Sequence, residues 1–257
     1  MTTRTGTHSL EGKVVVVTGA AQGIGAGYAR RLVAEGCRVV LADRNADAVH
    51  ATAASLTGPG KATAAVLDVA DPGSGAELAA FVGEEHGRLD GLINNAAVFS
   101  TITRKPFWEI TSEEWDQVIT VNLKGPWLVT SALLPLLRRS ESASVINVGS
   151  DAVLMGRSGY LHYVASKGGV QGMTYSMAHE LGQFGIRVNT LSPGPVYTEI
   201  ARTTVSPEQK RAMTDAQALQ RAAEPDDMVG LAAFLLSDDS AYITGQTISV
   251  NGGLIHR

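Results

Sequence analysis

The stretch Lys13–Gly25 reads KVVVVTGAAQGIG, and it decides the fold. Its first part, Lys13–Thr18 (KVVVVT), is a lysine followed by a run of β-branched residues. Such a run is typical of a strand buried on both faces of a parallel sheet. Three glycines, Gly19, Gly23 and Gly25, separate this strand from a predicted helix. Glycine lets a backbone approach a ligand closely, and a helix N-terminus offers N–H groups to an anion. The stretch predicts a dinucleotide pyrophosphate site, with a merely tight strand-to-helix turn as the alternative.

Strand and helix signals alternate along nearly the whole chain. Strands are expected at Lys13–Thr18, Arg38–Ala42, Ala62–Leu67, Gly91–Asn94, Ser144–Val148, Arg187–Leu191 and Thr247–Val250. Helices are expected at Gly23–Glu35, Ala46–Leu56, Pro72–His86, Thr111–Arg139, Tyr160–Phe184 and Pro225–Leu236. This alternation favours right-handed crossovers and a doubly wound, seven-stranded parallel sheet with helices on both faces. We therefore expect one α/β domain over residues 11–257, preceded by a flexible N-terminal tail over residues 1–10.

Composition excludes several classes of protein. The chain has 257 residues, and its 21 Lys and Arg against 25 Asp and Glu leave a formal net charge of −4. This mild acidity argues against nucleic acid or an anionic membrane as a partner. The single cysteine, Cys37, excludes an intrachain disulfide and a cysteine-based zinc site, and the six histidines lack ligand spacing, so no metal is expected. Without an apolar run of 18 residues or a signal peptide, we expect a cytoplasmic protein.

An acidic residue ends the second predicted strand. Asp43 lies 18 residues beyond Gly25, about where a carboxylate accepts hydrogen bonds from the adenosine ribose of a dinucleotide. A carboxylate there repels the extra phosphate of NADP, and Gln22 in the glycine turn adds no positive charge to attract it. Arg44 argues the other way, because an arginine beside this position can hold a 2′-phosphate. The pattern favours NAD as the cofactor and leaves NADP as the alternative.

Three residues form a candidate catalytic group. Tyr163 and Lys167 are four apart on a predicted helix, so their side chains share one face. Tyrosine is a poor base at neutral pH, but a nearby ammonium favours its phenolate form, which can take a proton from an alcohol. Ser150 follows the fifth predicted strand, at the edge where parallel strands form a binding crevice. It is placed to hydrogen-bond a substrate oxygen, although a serine that caps a turn is the alternative.

The chain resembles the short-chain dehydrogenase/reductase family from Gly12 to about Gly253. The resemblance rests on the order and spacing of these motifs: Thr18–Gly25 (TGAAQGIG), Asp43, Asp68 with Val69, Asn94–Ala97 (NNAA), Asn122, Ser150, Tyr163–Lys167 (YVASK), Pro193 with Gly194, and Thr198. It implies a single-domain Rossmann fold that binds NAD(P). One position departs from the family pattern, because Ala97 stands where the family usually has glycine. The extra methyl puts the local backbone fit in question, but no chemistry.

The resemblance implies catalytic roles for four residues. Ser150 would orient the substrate oxygen, and Tyr163 would transfer the proton. Lys167 would bind the nicotinamide ribose and favour the phenolate. Asn122 would hold a water that links Lys167 to solvent in a proton relay.

The resemblance also implies a cofactor site that extends beyond the glycine turn. Asp68 and Val69 would contact the adenine, and Val196 and Thr198 would meet the nicotinamide carboxamide. Asn94 and Ala96 would line the cleft and steady the central sheet. The complete expected cofactor set is Gly19, Gln22, Gly23, Ile24, Gly25, Asp43, Arg44, Asp68, Val69, Asn95, Ala96, Tyr163, Lys167, Pro193, Val196 and Thr198.

Substrate contacts are less sharply defined by the sequence. The expected contacts are Ser150, Met155, Tyr163 and Tyr197, with Phe99 as a further candidate. Their apolar and aromatic character favours a small or aromatic carbonyl over a highly charged one. Residues 199–220 correspond to the family's substrate lid, with a plain surface helix pair as the alternative. Of two residues beside the catalytic group, His162 is expected at the surface, with a substrate contact as the alternative. Asp151 is expected in a solvated turn, with a place at the pocket mouth as the alternative.

Taken together, these residues predict an NAD-dependent oxidoreductase that interconverts an alcohol and its ketone or aldehyde, with Tyr163 as general acid and base. An NADPH-dependent carbonyl reductase is the alternative, and a non-catalytic dinucleotide-sensing module is a second one. The small-molecule substrate is the expected partner. In the family, the helices expected at Thr111–Arg139 and Tyr160–Phe184 form the main dimer contact, so we expect a homotetramer, with a dimer as the alternative.

Overall fold

The computed structural model describes residues 10–200 and 205–256. Within these residues a single parallel sheet has seven strands, in the order β3-β2-β1-β4-β5-β6-β7. The strands are β1 (Val14–Thr18), β2 (Arg38–Asp43), β3 (Lys61–Val66), β4 (Gly91–Asn94), β5 (Ser144–Val148), β6 (Arg187–Pro193) and β7 (Thr247–Val250). Strands β1, β4 and β5 are buried at every position, which explains why they lack polar alternation. The predicted seven-stranded parallel sheet is confirmed.

Helices cover both faces of this sheet. The α-helices of the described residues are α1 (Gly23–Ala34), α2 (Ala46–Ser55), α3 (Pro72–His86), α4 (Ser112–Ile119), α5 (Gly125–Leu137), α6 (Leu161–Leu181), α7 (Pro207–Asp215) and α8 (Pro225–Leu236). Val15 and Val17 of β1 belong to a core with α1, α2 and α8, whereas Val14 and Val16 belong to a core with α3, α5 and α6. Adjacent strand residues point to opposite faces, so the sheet separates two hydrophobic cores, as the doubly wound fold requires.

The strand order reverses between β1 and β4. From β1 the chain winds outward through β2 to β3, then crosses back to β4 and winds the other way to β7. The connections after β1 and β4 therefore leave in opposite directions, which opens a crevice at the carboxyl ends of these two strands. The candidate functional site lies along this crevice.

The helix expected over Thr111–Arg139 is interrupted. Helix α4 ends at Ile119, a π-helical turn follows at Thr120–Lys124, and α5 begins at Gly125. Pro126 lies in the first turn of α5, and its missing N–H cannot donate to the carbonyl of Asn122 as a continuous α-helix would require. The ladder shifts instead, and the N–H of Gly125 donates to the oxygen of Thr120. π-helical turns are frequent at functional sites, and this one contains a predicted catalytic residue.

Several element ends also differ from the prediction. Strand β2 includes Asp43, and β6 continues to Pro193. Helix α6 ends at Leu181, and its last predicted turn, Gly182–Phe184, is a 3₁₀-helix. Leu10, which was expected in a flexible tail, is 1 % exposed and packs in the core with α1. The other residues of the predicted tail lie outside the described residues.

Buried polar side chains connect the middle of the sheet to the helices on one face. The Asn94 side-chain amide donates to Thr130 Oγ1 at 3.0 Å and to Asn147 Oδ1 at 2.9 Å. Asn147 in turn donates to Thr174 Oγ1 at 2.9 Å, and Thr190 Oγ1 donates to the same oxygen at 2.8 Å. Asn94 therefore steadies the central sheet, as expected, but it does not line the cleft. Its neighbour Asn95 does.

Candidate active site

A cavity of about 330 Å³ lies at the carboxyl edge of the sheet, across the crevice between β1 and β4. Its volume is at the lower end of the ~300–1,000 Å³ usual for small-molecule sites. The residues from the predicted site that line it are Gly19, Gln22, Gly23, Ile24, Asp43, Arg44, Asp68, Val69, Asn95, Ala96, Ser150, Met155, Tyr163, Lys167, Pro193, Val196 and Thr198. The structure thus brings together residues from the carboxyl ends of β1 to β6. Phe99 also lines the cavity, whereas Gly25, Asn122 and Tyr197 are not among its walls.

The glycine turn forms one wall of the cavity from backbone alone. Gly19 and Gly23 have φ angles of +65° and +61°, which residues with side chains rarely adopt. A Cβ added to Gly19 would lie 2.8 Å from the Cα of Ala96, and one added to Gly25 would overlap the carbonyl oxygen of Gly19. Gly25 therefore closes the turn instead of facing the cavity. The exposed backbone beside the N-terminus of α1 fits the pyrophosphate of a dinucleotide.

The ends of β1 and β4 are fastened to each other beside this turn. Thr18 Oγ1 accepts hydrogen bonds from the N–H groups of Asn95 at 3.0 Å and Ala96 at 3.1 Å. The Asn95 side chain returns the interaction, because its amide donates to the carbonyl oxygens of Thr18 and Gly19 at 3.0 and 3.1 Å. Both walls of the crevice are thereby held at one separation.

Carboxylates mark the end of the cavity beside β2 and β3. Asp43 Oδ2 accepts from the N–H of Ala21 at 3.2 Å, and its Oδ1 accepts from the N–H of Asn45 at 3.0 Å. These contacts hold the carboxylate over the entrance of the glycine turn, where it can still accept from ribose hydroxyls. Arg44 is exposed beside it, and Asp68 lines the same cavity. The donor and acceptor set therefore fits an adenosine.

Ser150, Tyr163 and Lys167 meet at the opposite end. Ser150 follows β5 and its Oγ accepts from the N–H of Ala152 at 3.2 Å. Tyr163 and Lys167 lie one turn apart on α6, with the Lys167 ammonium 6.0 Å from the centre of the Tyr163 ring. The ring of Phe99 lies 4.6 Å from that of Tyr163 and supports it from the loop after β4. The three predicted residues therefore share one cavity wall, which provides a hydroxyl, a phenol and a cation.

Lys167 is a buried cation. Only 3 % of the residue is exposed, and its ammonium donates to the carbonyl oxygen of Val148 at 2.7 Å. Burial penalises the charged form and lowers the pKa of Lys167 from 10.5 to about 8. The side chain is therefore held in place by the end of β5, with a charge that is lost more readily than that of an ordinary lysine.

Asn122 lies behind this group, in the π-helical turn. It is fully buried, and its side-chain oxygen accepts from the N–H of Val98 at 2.7 Å. Its amide nitrogen donates to the carbonyl oxygen of Val98 at 3.1 Å and to Ser166 Oγ at 3.3 Å. The side chain thus joins the loop after β4 to the residue that precedes Lys167.

Tyr197 is not where the sequence indicated. Val196 and Thr198 line the cavity, whereas Tyr197 between them does not. Its N–H donates to the carbonyl of Ala223 at 2.8 Å, and the Lys210 ammonium lies 4.1 Å from its ring centre. Tyr197 therefore supports the start of the predicted lid instead of lining the substrate end.

The two neighbours of catalytic residues are also placed differently. His162 is 4 % exposed and not at the surface, and burial lowers the pKa of its imidazole. Asp151 is fully buried and not in a solvated turn. Its Oδ1 accepts from the hydroxyls of Ser192 and Ser249, both at 2.7 Å, and its Oδ2 accepts from the Asn251 amide at 2.6 Å. Asp151 thus joins the ends of β5, β6 and β7 directly beside Ser150.

Sequence reasoning missed two residues near the site. Arg157 lines the cavity in the connection between β5 and α6, and a charged residue in that connection was the available signal. Glu199, at the start of the predicted lid, accepts the N–H of Gly23 at 2.7 Å. A carboxylate at this position is stabilised by the partial positive charge of the α1 N-terminus. No sequence signal connects two residues so far apart in the chain.

Neither a metal-binding cluster nor a membrane-spanning helix is found among the residues that the structure describes. In ranges 10–200 and 205–256, no three His, Cys, Asp or Glu side chains cluster in a way that could hold a metal ion. Among the same residues, every helix is too short or too polar to cross a membrane.

Comparisons with known proteins agree with this geometry. A family model described as enoyl-(acyl carrier protein) reductase matches residues 19–255. The 3-oxoacyl-[acyl-carrier-protein] reductase FabG of Thermotoga maritima is 39 % identical over 96 % of this chain and 99 % of its own. Galactitol 2-dehydrogenase of Agrobacterium fabrum is 38 % identical over 95 % of this chain and 98 % of its own.

Solved structures give the same result. A crystal structure of a protein assigned as an NAD(P)-dependent gluconate 5-dehydrogenase from Beutenbergia cavernae, with NADP bound at low occupancy, is 34 % identical. It superposes with a TM-score of 0.89 over 97 % of this chain and 99 % of its own. The chain therefore belongs to the short-chain dehydrogenase/reductase family. It is an NAD(P)-dependent oxidoreductase that acts on alcohols.

The buried Lys167 predicts a specific pH dependence of stability. Its pKa is about 8 in the native state and 10.5 when exposed, so between these values the unfolded chain binds more protons than the native one. The free energy of unfolding therefore rises with pH across this window, by up to roughly 3 kcal/mol at about 1.36 kcal/mol per unit. We expect the wild type to gain stability relative to Lys167→Met between about pH 7 and pH 10, measured by urea unfolding.

The control for this measurement is Lys61→Met, because Lys61 is exposed on β3. Its stability difference from the wild type should stay constant over the same range. If the stability difference between the wild type and Lys167→Met is also constant over this pH range, the assignment of Lys167 as a desolvated cation is contradicted.

Proposed function

We propose that the protein interconverts an alcohol and its ketone or aldehyde with NAD as the preferred cofactor and Tyr163 as general acid and base. One observation carries the proposal. Ser150, Tyr163 and Lys167 share a cavity with the glycine turn and Asp43, so a proton-transfer group and a dinucleotide cradle are continuous. This arrangement suits a reaction in which a proton and a hydride leave one alcohol.

The cavity residues divide the work of the reaction. A nicotinamide dinucleotide held by the glycine turn, Asp43 and the cavity wall at Val196 and Thr198 would supply hydride exchange with the alcohol or carbonyl carbon. Ser150 Oγ hydrogen-bonds the substrate oxygen and holds it beside the Tyr163 hydroxyl. In oxidation the Tyr163 phenolate takes the hydroxyl proton, and in reduction the Tyr163 hydroxyl gives a proton to the carbonyl oxygen. The Lys167 ammonium favours the phenolate by charge.

Asn122 is proposed to support proton exchange with solvent. Because Pro126 lacks an N–H, it cannot donate to the Asn122 main-chain carbonyl, and that carbonyl is left to hold a water. The Asn122 side chain is tied to Ser166, the neighbour of Lys167. This placement supports a path from Lys167 through a water to the surface.

The choice of NAD rests on Asp43. Its carboxylate lies at the adenosine end and repels a 2′-phosphate, while no lysine or arginine stands in the glycine turn. Arg44 supports the alternative, an NADPH-dependent carbonyl reductase, and the related gluconate dehydrogenase structure holds NADP. The relatives include both reductases and polyol dehydrogenases, and an NAD preference favours the oxidative direction.

A non-catalytic dinucleotide sensor is the third possibility. Such a module would require only the glycine turn and the adenosine site. The presence of Ser150, Tyr163 and Lys167 in one wall argues for catalysis.

Ile200 and Met213 also line the cavity, which supports residues 199–220 as a substrate lid.

We also propose that copies of the chain assemble through α4, α5 and α6. Trp115, Trp127 and Tyr175 on these helices are 37 %, 50 % and 43 % exposed. Large apolar groups exposed on adjacent helices favour contact with another molecule.

Tyr163→Phe tests the catalytic proposal. Loss of the phenol removes the proton-transfer group but leaves the cofactor contacts, so we expect turnover to fall by about 10²- to 10⁴-fold. The dissociation constant for NADH should stay within about twofold, since a proton-transfer group adds little binding. Turnover is followed by absorbance of NADH with a panel of secondary alcohols, polyols and hydroxy acids, and binding by fluorescence.

Tyr160→Phe is the matched control, because Tyr160 lies one turn earlier, is buried, and is not a wall of the cavity. It should retain most of the turnover. A Tyr163→Phe enzyme that keeps more than a tenth of the wild-type rate would refute the assigned role. Binding of NADH with no turnover of any alcohol or carbonyl would favour the sensor.

Asp43→Asn tests cofactor choice. The wild type should bind NADH more tightly than NADPH, and the neutral side chain should reduce this ratio about 10- to 100-fold, as expected for loss of a charged hydrogen-bonding group. Fluorescence titration with each cofactor measures the ratio. Arg44→Ala is the paired variant and should weaken NADPH selectively. Unchanged discrimination in Asp43→Asn would assign the preference to another residue.

Light scattering at micromolar concentration tests assembly. We expect a mass that is a multiple of the 26.9 kDa chain, and a lower mass for Trp127→Glu, which places a charge in the proposed contact. Tyr242→Glu is the control, because Tyr242 is fully exposed outside these helices. A wild-type mass equal to one chain would overturn the proposal.

A further inference from the structure

Arg157 lies at the substrate end of the cavity. Asp43 and Asp68 follow β2 and β3, on one side of the reversal in strand order, and they define the adenosine end. Arg157 belongs to the connection that follows β5, on the other side, together with Ser150. A cation at this position faces the substrate and not the adenosine.

Aromatic packing holds the guanidinium in a defined place. The Arg157 guanidinium carbon lies 4.8 Å from the ring centre of Tyr160, which is 1 % exposed. The Tyr160 ring is stacked on Phe99 at 5.9 Å, and Phe99 lies 4.6 Å from the ring of Tyr163. Two aromatic rings thus connect Arg157 to the proposed proton-transfer group. A contact of the guanidinium carbon with a ring face does not use the guanidinium N–H groups, which stay available to an anion.

The backbone that carries Arg157 is also ordered. The N–H of Arg157 donates to the carbonyl oxygen of Ala152 at 3.2 Å, and the N–H of Met155 donates to that of Asp151 at 3.0 Å. Gly156 and Gly159, with φ angles of +54° and +83°, permit the bends on either side. The side chain therefore starts from a turn that is fastened to the buried Asp151.

The Arg157 guanidinium has no carboxylate partner among the residues that the structure describes. Asp151, the acid of the same turn, accepts hydrogen bonds from Ser192, Ser249 and Asn251 and forms no ion pair with Arg157. A partly buried arginine without a counterion attracts an anion into the cavity.

We propose that Arg157 is a specificity-determining residue that binds a carboxylate of the substrate, so that the substrate class is a hydroxy acid and its oxo acid. The guanidinium edge offers two parallel N–H donors, which match a carboxylate in a bidentate pair. The inference rests on the proposed function and narrows it. It also revises the expectation of a small or aromatic carbonyl over a highly charged one, because that expectation took no account of this cation.

Matched substrate pairs test the inference. Hydroxy acids are compared with their amides, for example 3-hydroxybutanoate with 3-hydroxybutanamide and mandelate with mandelamide. For the preferred pair, the wild type should show a kcat/KM about 10- to 100-fold higher for the acid. Arg157→Met keeps the apolar stem on Tyr160 but removes the charge, and it should bring this ratio close to one by lowering kcat/KM for the acid much more than for the amide or a neutral alcohol.

Two further variants separate charge from structure. Arg157→Lys keeps the charge but loses the planar fork, so it should retain only part of the preference. Arg104→Gln is the control, because Arg104 lies against Gly159 in the neighbouring segment and is not a wall of the cavity. It should leave the preference intact. If Arg157→Met lowers turnover of acids and neutral alcohols equally, Arg157 is structural and the proposal is overturned.

A binding measurement does not depend on finding a substrate. With NAD at saturation, calorimetry compares butanoate and benzoate with butanamide and benzamide as unreactive ligands, and methyl phosphate tests a phosphate group. The wild type should bind a carboxylate at least about tenfold more tightly than its amide, and Arg157→Met should lose this difference.

The outcomes distinguish the two proposals. Equal carboxylate binding by the wild type and Arg157→Met, or binding of methyl phosphate but of no carboxylate, overturns the proposed role of Arg157 as a carboxylate-binding residue. Neither result contradicts the proposed oxidoreductase activity. Arg157-dependent carboxylate binding with no turnover of any alcohol supports Arg157 and rejects the proposed reaction.

Discussion

The cavity depends on the close approach of the glycine turn after β1 to the segment after β4. At Gly19 a single added Cβ would lie 2.8 Å from the Cα of Ala96, and the Thr18 hydroxyl binds two successive N–H groups of that segment. Neither wall can move outward without losing these bonds or inward without overlap. Because parallel strands pair side by side, this one separation also sets where the ends of β2 and β5 stand. Gly19 and Thr18 therefore fix the approach of the two strand ends between which the cavity opens.

Asp151 plays the corresponding part at the substrate end. A buried carboxylate is costly unless its oxygens accept hydrogen bonds, and Asp151 meets this condition with donors from Ser192, Ser249 and Asn251. These donors come from the ends of β6 and β7 and from the residue after β7. The carboxylate therefore gathers three strand ends around the residue that follows Ser150. A binding hydroxyl gains precision when the backbone beside it has one allowed position, and here that position is imposed from across the sheet.

Features that depend on neighbouring residues in the sequence could be predicted, whereas features that depend on contacts between distant residues could not. The strands, the two cores and the Ser150, Tyr163 and Lys167 group follow from runs of residues and short spacings, which the sequence displays directly. Asp151 was expected in solvent, because its three donors lie 41 to 100 residues away in the chain. Tyr197 was expected to contact the substrate, but it does not line the cavity although both of its chain neighbours do. The residue types alone do not show which of three successive residues faces a cavity. The π-helical turn at Thr120–Lys124 had a local signal, the proline at the start of α5, which helical periodicity concealed.

Burial assigns different chemistry to the two cations near the reaction centre. Lys167 is enclosed and held by one carbonyl, so desolvation brings its pKa to about 8, where a change of proton is accessible at moderate pH. Such a group can respond to the charge of a neighbouring phenol, but it is too enclosed to reach outward to a substrate anion. Arg157 is partly exposed and lines the cavity, so its guanidinium can pair with an anion. A hydroxy acid would use both groups: its carboxylate would bind the Arg157 guanidinium, while its alcohol proton would pass to Tyr163 beside Lys167.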